Sequence, residues 1–369
     1  MARATPLPTT AVWPFSETDD YQFKFVGEGA ANFVFEIIVS PADGARCSFL
    51  KGEIPHAPGS VRDPLTSSLG KLLRVPKAGT EAHSYEELQE YWETVVAPLF
   101  ELEDLVQQQL VKFENDNVIS RLNGALQDET ETRRTDFEGQ TVAATEYGLL
   151  VEDMRQKNPD DLTLEFKPKW LAQSPNAPPS ATRCRNCARE AFKRHSKHPS
   201  KRKPNAVIPC PLDYLSPSPS SLTHPLTPHT PPTTHPSQHA RLSTWLQTNT
   251  LLPRLRAVQL ANDTLGPLGV DHGGAGAAQL QLAMTLRDCA CFVRVPADEG
   301  AEVEAKLADL DKKNWVSKLG YWQGMERRLV EGGYYEGGEV PRVGTGCVLE
   351  RGEGAGVREG EDAKDVGED

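Results

Sequence analysis

No apolar run in this sequence approaches the roughly 18 residues of a membrane-spanning helix. The first residues, MARATPLPTTAVWPF, lack the compact apolar stretch of a secretory signal. Cysteine is scarce: seven in 369 residues, an odd number scattered along the chain. That excludes a disulfide framework and favours a reducing compartment, nucleus or cytoplasm. Three nucleotide signatures are also missing. No Gly-Lys-Ser/Thr follows a Gly-rich loop, no helix follows one as a dinucleotide fold requires, and there is neither a His-Arg-Asp loop nor Asp-Phe-Gly. Positive charge is in overall deficit, 40 Lys+Arg against 52 Asp+Glu, net −12. The deficit is local, however. Residues 331–369 hold eleven acids, four bases and eleven glycines, a net of −7, and leave −5 for the other 330 residues. A basic, anion-binding site elsewhere is therefore compatible with the acidic total.

A length of 369 residues suggests two lobes plus loose ends. Residues 21–40, YQFKFVGEGAANFVFEIIVS, alternate about a Gly-rich turn and predict strand, loop, strand. CSFLK at 47–51 and KLLRVPK at 71–77 are further short strands, and Tyr85, Leu88, Tyr91, Trp92 and Val95 follow helical spacing until Pro98. Residues 104–111 fit either a strand or a helix, and EYGLLVEDM at 146–154 a buried strand. The β-rich first domain is thus placed at 1–155 and a second at 156–335. The second opens with the strand LTLEFKPKW at 162–170. Residues 208–239 contain nine prolines among Ser, Thr and His, and 205–239 is expected to be a disordered insertion. Helices are expected around Pro253, a strand pair about Arg287-Asp288 within 279–295, and an amphipathic helix carrying Trp315, Leu319, Trp322, Met325 and Leu329. The acidic, Gly-rich tail at 336–369 is expected to be disordered. Fold class is α+β.

Several constellations could carry chemistry. Gly27-Glu28-Gly29-Ala30-Ala31-Asn32, between two strands, could cover phosphate oxygens with backbone N–H groups; an ordinary hairpin turn uses the same residues. Arg74 could bring a cation to those phosphates, or simply end a strand. Alternation places Glu165, Lys167 and Lys169 on one face of a segment that Pro168 keeps extended, and two ammonium groups facing one way call for anions between them; a solvated edge strand is the plain alternative. Arg183 to Arg194 is strongly cationic, and Lys193 to Lys203 has the look of a nuclear-localisation tract. With only Phe192 to stack a base, no nucleic-acid partner is expected. Asp288, after an apolar run, is a general base or an Asx turn. Asp309 and Asp311 suit Mg²⁺ or a helix cap. Cys184-x2-Cys187 is half of a zinc pattern; His195, His198 and Cys210 could complete it, but no second CxxC follows, and buried or free thiols are the expectation.

Taken in order, Gly-Glu-Gly-Ala-Ala-Asn, Leu-Arg-Val-Pro-Lys, Leu-Leu-Val-Glu-Asp-Met, Glu-Phe-Lys-Pro-Lys-Trp, Cys-Arg-Asn-Cys, Cys-Pro-Leu-Asp-Tyr-Leu-Ser, Thr-Leu-Arg-Asp-Cys and Asp-Leu-Asp-Lys-Lys resemble the inositol-pentakisphosphate 2-kinase family, in a fungal style, over about residues 21–330. The resemblance implies a two-lobed, kinase-like fold, with a β-rich nucleotide lobe and a larger α+β lobe. It implies transfer of the ATP γ-phosphate to the 2-hydroxyl of inositol 1,3,4,5,6-pentakisphosphate, giving inositol hexakisphosphate, with ATP and Mg²⁺ as cofactors, in a monomer. By it, Gly27, Glu28, Gly29, Ala30, Ala31 and Asn32 would cover ATP, Arg74 would meet its phosphates, Glu152, Asp153 and Met154 would form the hinge, and Glu165 and Lys167 would line the nucleotide site. Asp288 and Lys169 would be catalytic, Asp288 as the base for the 2-hydroxyl, and Asp309 would bind Mg²⁺. Lys169, Arg189, Lys193, Lys313 and Tyr321 would contact the inositol phosphate.

Some positions depart from the family pattern. Ala188-Arg189-Glu190 replaces a Met-His-Gln-like triplet, and Ser317 beside Lys318 stands where a second substrate cation is expected. Arg133 and Arg134 both answer to an arginine expected before the hinge. Plant members carry a Cys/His zinc site in the second lobe; residues 212–288 hold no Cys here, so that site is not carried over. A non-catalytic inositol-phosphate-binding scaffold on the same fold is the competing reading.

Overall fold

The computed structural model describes residues 10–13, 21–39, 70–80, 83–114, 117–128, 133, 137–196, 209–215, 225–271, 274 and 276–352. The expected strand at 47–51 and residues 197–208, 216–224 and 353–369 lie outside the described residues. The architecture is mixed α+β, in two compact units: residues 1–93 with 106–153, and residues 94–105 with 154–369.

The first unit is built on β1 (Thr10–Val12), β2 (Tyr21–Glu28), β3 (Asn32–Val39), β4 (Lys71–Pro76), α1 (Tyr85–Tyr91), β5 (Gln108–Lys112), α2 (Asn117–Asp128) and β6 (Tyr147–Glu152). Its sheet runs β1-β5-β6-β4-β3-β2 and is antiparallel except for β1 on β5. Alternation in β3 sends Phe33 and Phe35 into a core with Trp13, Tyr21, Leu73 and Val75. A bulge between Phe25 and Gly27 interrupts the β2–β3 register, so the hairpin tip is re-aimed just before its turn. α1 starts at a capping box: Ser84 accepts from the Glu87 N–H and Glu87 accepts from the Ser84 N–H. Of residues 104–111, Asp104 ends a 3-10 turn and β5 begins at Gln108, and the division between units after Asp153 falls at the end of β6.

The second unit contains β7 (Leu162–Phe166), α3 (Arg185–Ser196), α4 (Pro236–Thr248), α5 (Leu251–Ala261), the short α6 (Gly266–Gly269), α7 (Ala277–Leu286), β8 (Ala290–Val295), β9 (Glu304–Ala308) and α8 (Trp315–Glu331). β7, β8 and β9 form an antiparallel sheet in that order. α8 buries Leu319, Trp322, Met325 and Leu329, the expected face.

Three expectations are corrected here. Residues 279–295 are not a strand pair: α7 precedes β8. QLQLAM alternates, but α7 is buried on nearly every side, from Ala277 through Leu280, Gln281, Leu282 and Ala283 to Leu286, so no helical stripe was available to read. The Pro-rich insertion is folded in part: Pro211–Tyr214 and Thr227–His229 form 3-10 turns, and α4 begins at Pro236. Its anchors are Leu226, fully buried, and Gln238, which donates to the Asp160 and Val295 carbonyls at 2.8 and 3.3 Å. Residues 336–352 likewise pack: Arg183, fully buried, donates to Glu339 and Glu350, both at 2.7 Å. Composition averages over a segment, whereas a few anchors and a buried arginine supply what that average hides.

Candidate functional site

β7 ends at Phe166, β8 begins at Ala290 beside Ala308, and Phe166 pairs with Cys291. In an antiparallel sheet this brings residues after β7, before β8 and after β9 to one sheet end. Those residues are Lys167 to Lys169, Asp288 and Asp309. Alternation holds through this segment: Phe166, Pro168 and Trp170 are buried, while Glu165 and Lys167 are exposed and Lys169 half-buried.

Asp288 sits among cations. Its Oδ1 accepts from Lys169 Nζ and its Oδ2 from Lys313 Nζ, each at 2.9 Å, and its carbonyl accepts from Lys167 Nζ at 3.0 Å. Burial alone would raise the Asp288 carboxyl, but Lys313 and Lys169 overcome it and hold the group well below the usual carboxylate range. Lys167 also pairs with Asp309 at 3.5 Å. Burial, then the neighbouring Asp309 charge, raise Glu165 above the ordinary value against Lys167. The nearby Cys289 thiol is pushed up to about 12, chiefly by burial, and is not a nucleophile.

Lys169 and Asp309 are the two non-glycine residues with left-handed backbone among the described residues, at φ +59° and +57°. Such conformations persist where surroundings over-determine them, and they gather at functional sites. For Lys169 the restraint is Gln259 of α5, fully buried: its Nε2 donates to the Lys169 and Leu286 carbonyls at 2.9 and 3.2 Å, and its Oε1 accepts from the Leu171 N–H at 3.0 Å. One amide thus ties the turn bearing Lys169 to the helix that precedes Asp288. The guanidinium groups of Arg287 and Arg185 lie over the Trp170 ring, 3.4 and 4.3 Å from its centroid, and Arg185 pairs with buried Glu326 at 2.9 Å.

Two cavities adjoin across Lys169 and Arg189. One, of about 460 Å³, is lined by Glu165, Lys167, Lys193, Arg194, Tyr214 and His229; the other, of about 380 Å³, by Asp288, Lys313, Lys318 and Tyr321. α3 presents Arg189 and Lys193 one turn apart. Arg189 reaches the Tyr321 hydroxyl at 3.4 Å and draws the Tyr321 pKa down; burial and Arg189 lower that of Lys193. The structure therefore brings Glu165, Lys167, Lys169, Arg189, Lys193, Asp288, Asp309, Lys313 and Tyr321 together in the second unit, where Met154 is buried. Of Ser317 and Lys318, it is Lys318 that lines the cavity.

The other candidates lie in the first unit. Gly29 N–H donates to the Asn32 carbonyl at 3.0 Å, closing the β2–β3 turn, and Lys77 N–H to the Ala31 carbonyl at 2.8 Å. Neither Gly27 nor Gly29 has positive φ, and a Cβ on either would meet nothing within 4 Å. The chain's own packing thus does not require glycine there. Glu28 points inward: Lys77 Nζ lies at 2.7 Å and Arg133 Nε at 3.3 Å from its carboxylate, which is 3% exposed. Arg74 is buried and faces the Asn32 amide, which also meets the Tyr85 hydroxyl at 2.8 Å. Glu152 accepts from the Gln107 N–H at 3.2 Å, and Asp153 N–H donates to the Gly70 carbonyl. Arg133 is thus placed, and Arg134 lies outside the described residues.

Sequence reading missed Lys77, although it closed a quoted motif. It also missed Gln259, for which no local signal existed, and Tyr214 and His229, which fell inside the presumed disorder.

A carboxylate held ionised by lysines, with further Lys and Arg lining adjoining cavities and a second acid at the same sheet end, is chemically suited to anions such as phosphate esters. Comparison with known proteins sharpens this class. Residues 25–228 and 225–328 match the family described as inositol-pentakisphosphate 2-kinase. The chain is 33% identical over 192 residues to a protein of Yarrowia lipolytica named inositol-pentakisphosphate 2-kinase, a match covering 52% of this chain and 58% of that relative. The chain belongs to the inositol-pentakisphosphate 2-kinase family.

Proposed function

We propose that the chain transfers the γ-phosphoryl group of ATP to the 2-hydroxyl of inositol 1,3,4,5,6-pentakisphosphate, giving inositol hexakisphosphate. The observation that carries this reading is Asp288, ionised and shared between Lys169 and Lys313 beside cavities lined with Arg and Lys. Phosphoryl transfer needs positioning and charge neutralisation more than covalent help, with one carboxylate to orient the attacking hydroxyl. In the free protein Lys169 and Lys313 occupy both oxygens of Asp288. Phosphate groups of the substrate compete for those lysines through charge-assisted bonds. As the lysines turn to phosphate, Asp288 is released as acceptor for the hydroxyl and its proton affinity rises, so substrate binding itself prepares the base.

Lys167, Arg189, Lys193 and Tyr321 hold the remaining phosphates in this reading, and the first unit serves as the nucleotide lobe of a two-lobed, kinase-like arrangement. The space above Gly27 and Gly29 suits an approaching phosphate chain. Asp309, which pairs with Lys167 and has Glu165 beside it, would hold Mg²⁺. Bound there, the ion would supply charge neutralisation on the nucleotide phosphates.

Incubation of the full chain with ATP, Mg²⁺ and inositol pentakisphosphate, followed by anion-exchange separation, should yield a later-eluting hexakisphosphate. A thermal shift with inositol hexakisphosphate but no turnover would make the protein a non-catalytic binder. Neither shift nor turnover would dismiss the site altogether.

A further inference from the structure

Asp288 lines the smaller cavity, while its neighbours Arg287 and Cys289 are buried. Arg287 is the C-terminal cap residue of α7. Its Nη1 donates to Asp263 Oδ2, and both side chains are 2% exposed. Asp263 is itself held, since its Oδ1 accepts from the Gly266 N–H at 2.7 Å. It lies one helical turn beyond Gln259, the residue that restrains the Lys169 turn. The Arg287 guanidinium is 3.4 Å from the Trp170 ring centroid. Trp170 adjoins Lys169 just as Arg287 adjoins Asp288. A buried stack between the neighbours therefore runs beside the 2.9 Å bond from Lys169 Nζ to Asp288 Oδ1.

We infer that Arg287 is a positioning residue: pinned to Asp263 and stacked on Trp170, it sets where the Asp288 carboxylate stands relative to Lys169. This rests on the reading of Asp288 as the acceptor for the substrate hydroxyl. Fold stability alone does not explain an arginine here. A buried ion pair is costly to desolvate, and apolar side chains of similar volume often serve a core as well or better. The Arg287 Nε also has no hydrogen-bond partner among the described residues, which a purely stabilising group would disfavour. What arginine offers is a flat face and a rigid fork together. The face fixes its distance to the indole, and the fork fixes its angle against Asp263. Lysine would keep the charge and lose both.

The same helix holds the other partner of Asp288. Thr285 Oγ1 donates to the Asp311 carbonyl at 2.9 Å, and Gln281 Nε2 donates to the Lys313 carbonyl. The end of α7 thus carries Asp288 and restrains the segment that bears Lys313. Arg185, the second cation over Trp170, opens α3, where Cys184, Cys187, Cys210 and Cys347 gather with all four Sγ atoms within 4.8 Å. Phosphoryl transfer depends on placement, and a displacement of about 1 Å can cost about 100-fold in rate. A loosened stack is therefore expected to be read in kcat.

The test is steady-state kinetics with ATP, Mg²⁺ and inositol pentakisphosphate, alongside Tm with and without inositol hexakisphosphate. Arg287→Lys should lower kcat about tenfold, with KM for inositol pentakisphosphate changed by less than about twofold. Trp170→Leu should do the same. The double variant should lose little more than either single, because both remove one contact. Arg294→Lys is the control: Arg294 is 2% exposed and pairs with Glu304 toward the far end of β8. It should lower Tm while the folded fraction keeps its kcat. Because Arg287→Lys could fail to fold, Trp170→Phe against Trp170→Leu gives a second reading. Phenylalanine keeps a ring face for Arg287 and should retain several times more kcat than leucine. Four outcomes would overturn the positioning role: Arg287→Lys keeps kcat, its loss lies in KM, the two losses multiply in the double variant, or Phe and Leu at position 170 behave alike. Absence of turnover by the unaltered chain is a different failure, which overturns the assigned reaction and the positioning role with it.

Discussion

Glu28 and Asp288 each hold two cations, yet the Glu28 carboxylate is 3% exposed and that of Asp288 is 50% exposed. Lys77 and Arg133, the partners of Glu28, are 0% and 8% exposed; Lys169 and Lys313, the partners of Asp288, are 31% and 26%. Lys77 also lies over the Phe33 and Phe137 rings, 4.7 and 3.7 Å from their centroids. Removing one member of the first triad strands a charge where water cannot reach it. Removing one member of the second leaves charges that water or an anion can solvate. The same chemistry is thus sealed from water in one unit and open to solvent or an anion in the other, and burial makes the difference.

The largest effect that would sharpen this contrast is on turnover. Asp288→Asn should reduce kcat by about 10²–10⁴, the usual contribution of a positioned acid–base group, while ATP and inositol hexakisphosphate still raise Tm. Retention of more than about a tenth of the activity would remove Asp288 from the base role. Next comes the buried triad. Lys77→Met should lower unfolding free energy by roughly 3–5 kcal/mol in a denaturant titration, because Glu28 keeps only Arg133. A loss below about 1 kcal/mol would mean that water enters there, and the comparison would fail.

Gln259→Leu is intermediate. It leaves the Lys169 and Leu286 carbonyls and the Leu171 N–H without their partner, at a cost of about 1–3 kcal/mol. As a positioning residue it should also lower kcat more than it raises KM, an outcome that a purely packing role would not produce. Lys169→Ala should weaken inositol hexakisphosphate binding about tenfold, near 1.4 kcal/mol, without lowering the unliganded Tm. A variant that melts much lower yet keeps its full ligand shift would make Lys169 structural.

The smallest effect is on pH dependence. Burial tends to raise the Glu28 pKa, but hydrogen bonds and charges from Arg133 and Lys77 leave it below the ordinary glutamate value of 4.5. A depressed carboxyl contributes stability that is present above its unfolded pKa and lost as pH falls through the folded one. The Tm gap between the unaltered chain and Glu28→Gln should therefore narrow on acidification below about pH 4.5. A gap that stays constant to about pH 3 would contradict the assigned shift.

Much of the β framework was legible from residue order. YQFKFVGE and NFVFEIIV alternate, and they pair about the Gly-Ala-Ala turn as expected. The alternation of Glu165, Lys167 and Lys169 also survived into the structure, but not through strand geometry alone: β7 ends at Phe166, and Lys169 takes a left-handed backbone that Gln259 restrains. Local periodicity failed in α7, where burial on all sides erased the stripe, and composition failed at 225–239 and 336–352, where single anchors outweighed the average.

The sequence by itself determined which residues could do chemistry: lysines held on one face by an extended Pro-containing segment, an aspartate after an apolar run, and a pair of cysteines at helix-start spacing. These follow from short-range geometry, which the backbone imposes within a few residues. Only the tertiary structure decided which of them meet. Lys313 reaches Asp288 across 25 residues, Gln259 reaches Lys169 across 90, and Cys347 joins Cys210 across 137. Contacts of that span arise from sheet register and helix packing, which depend on many residues at once and leave no mark on any one segment.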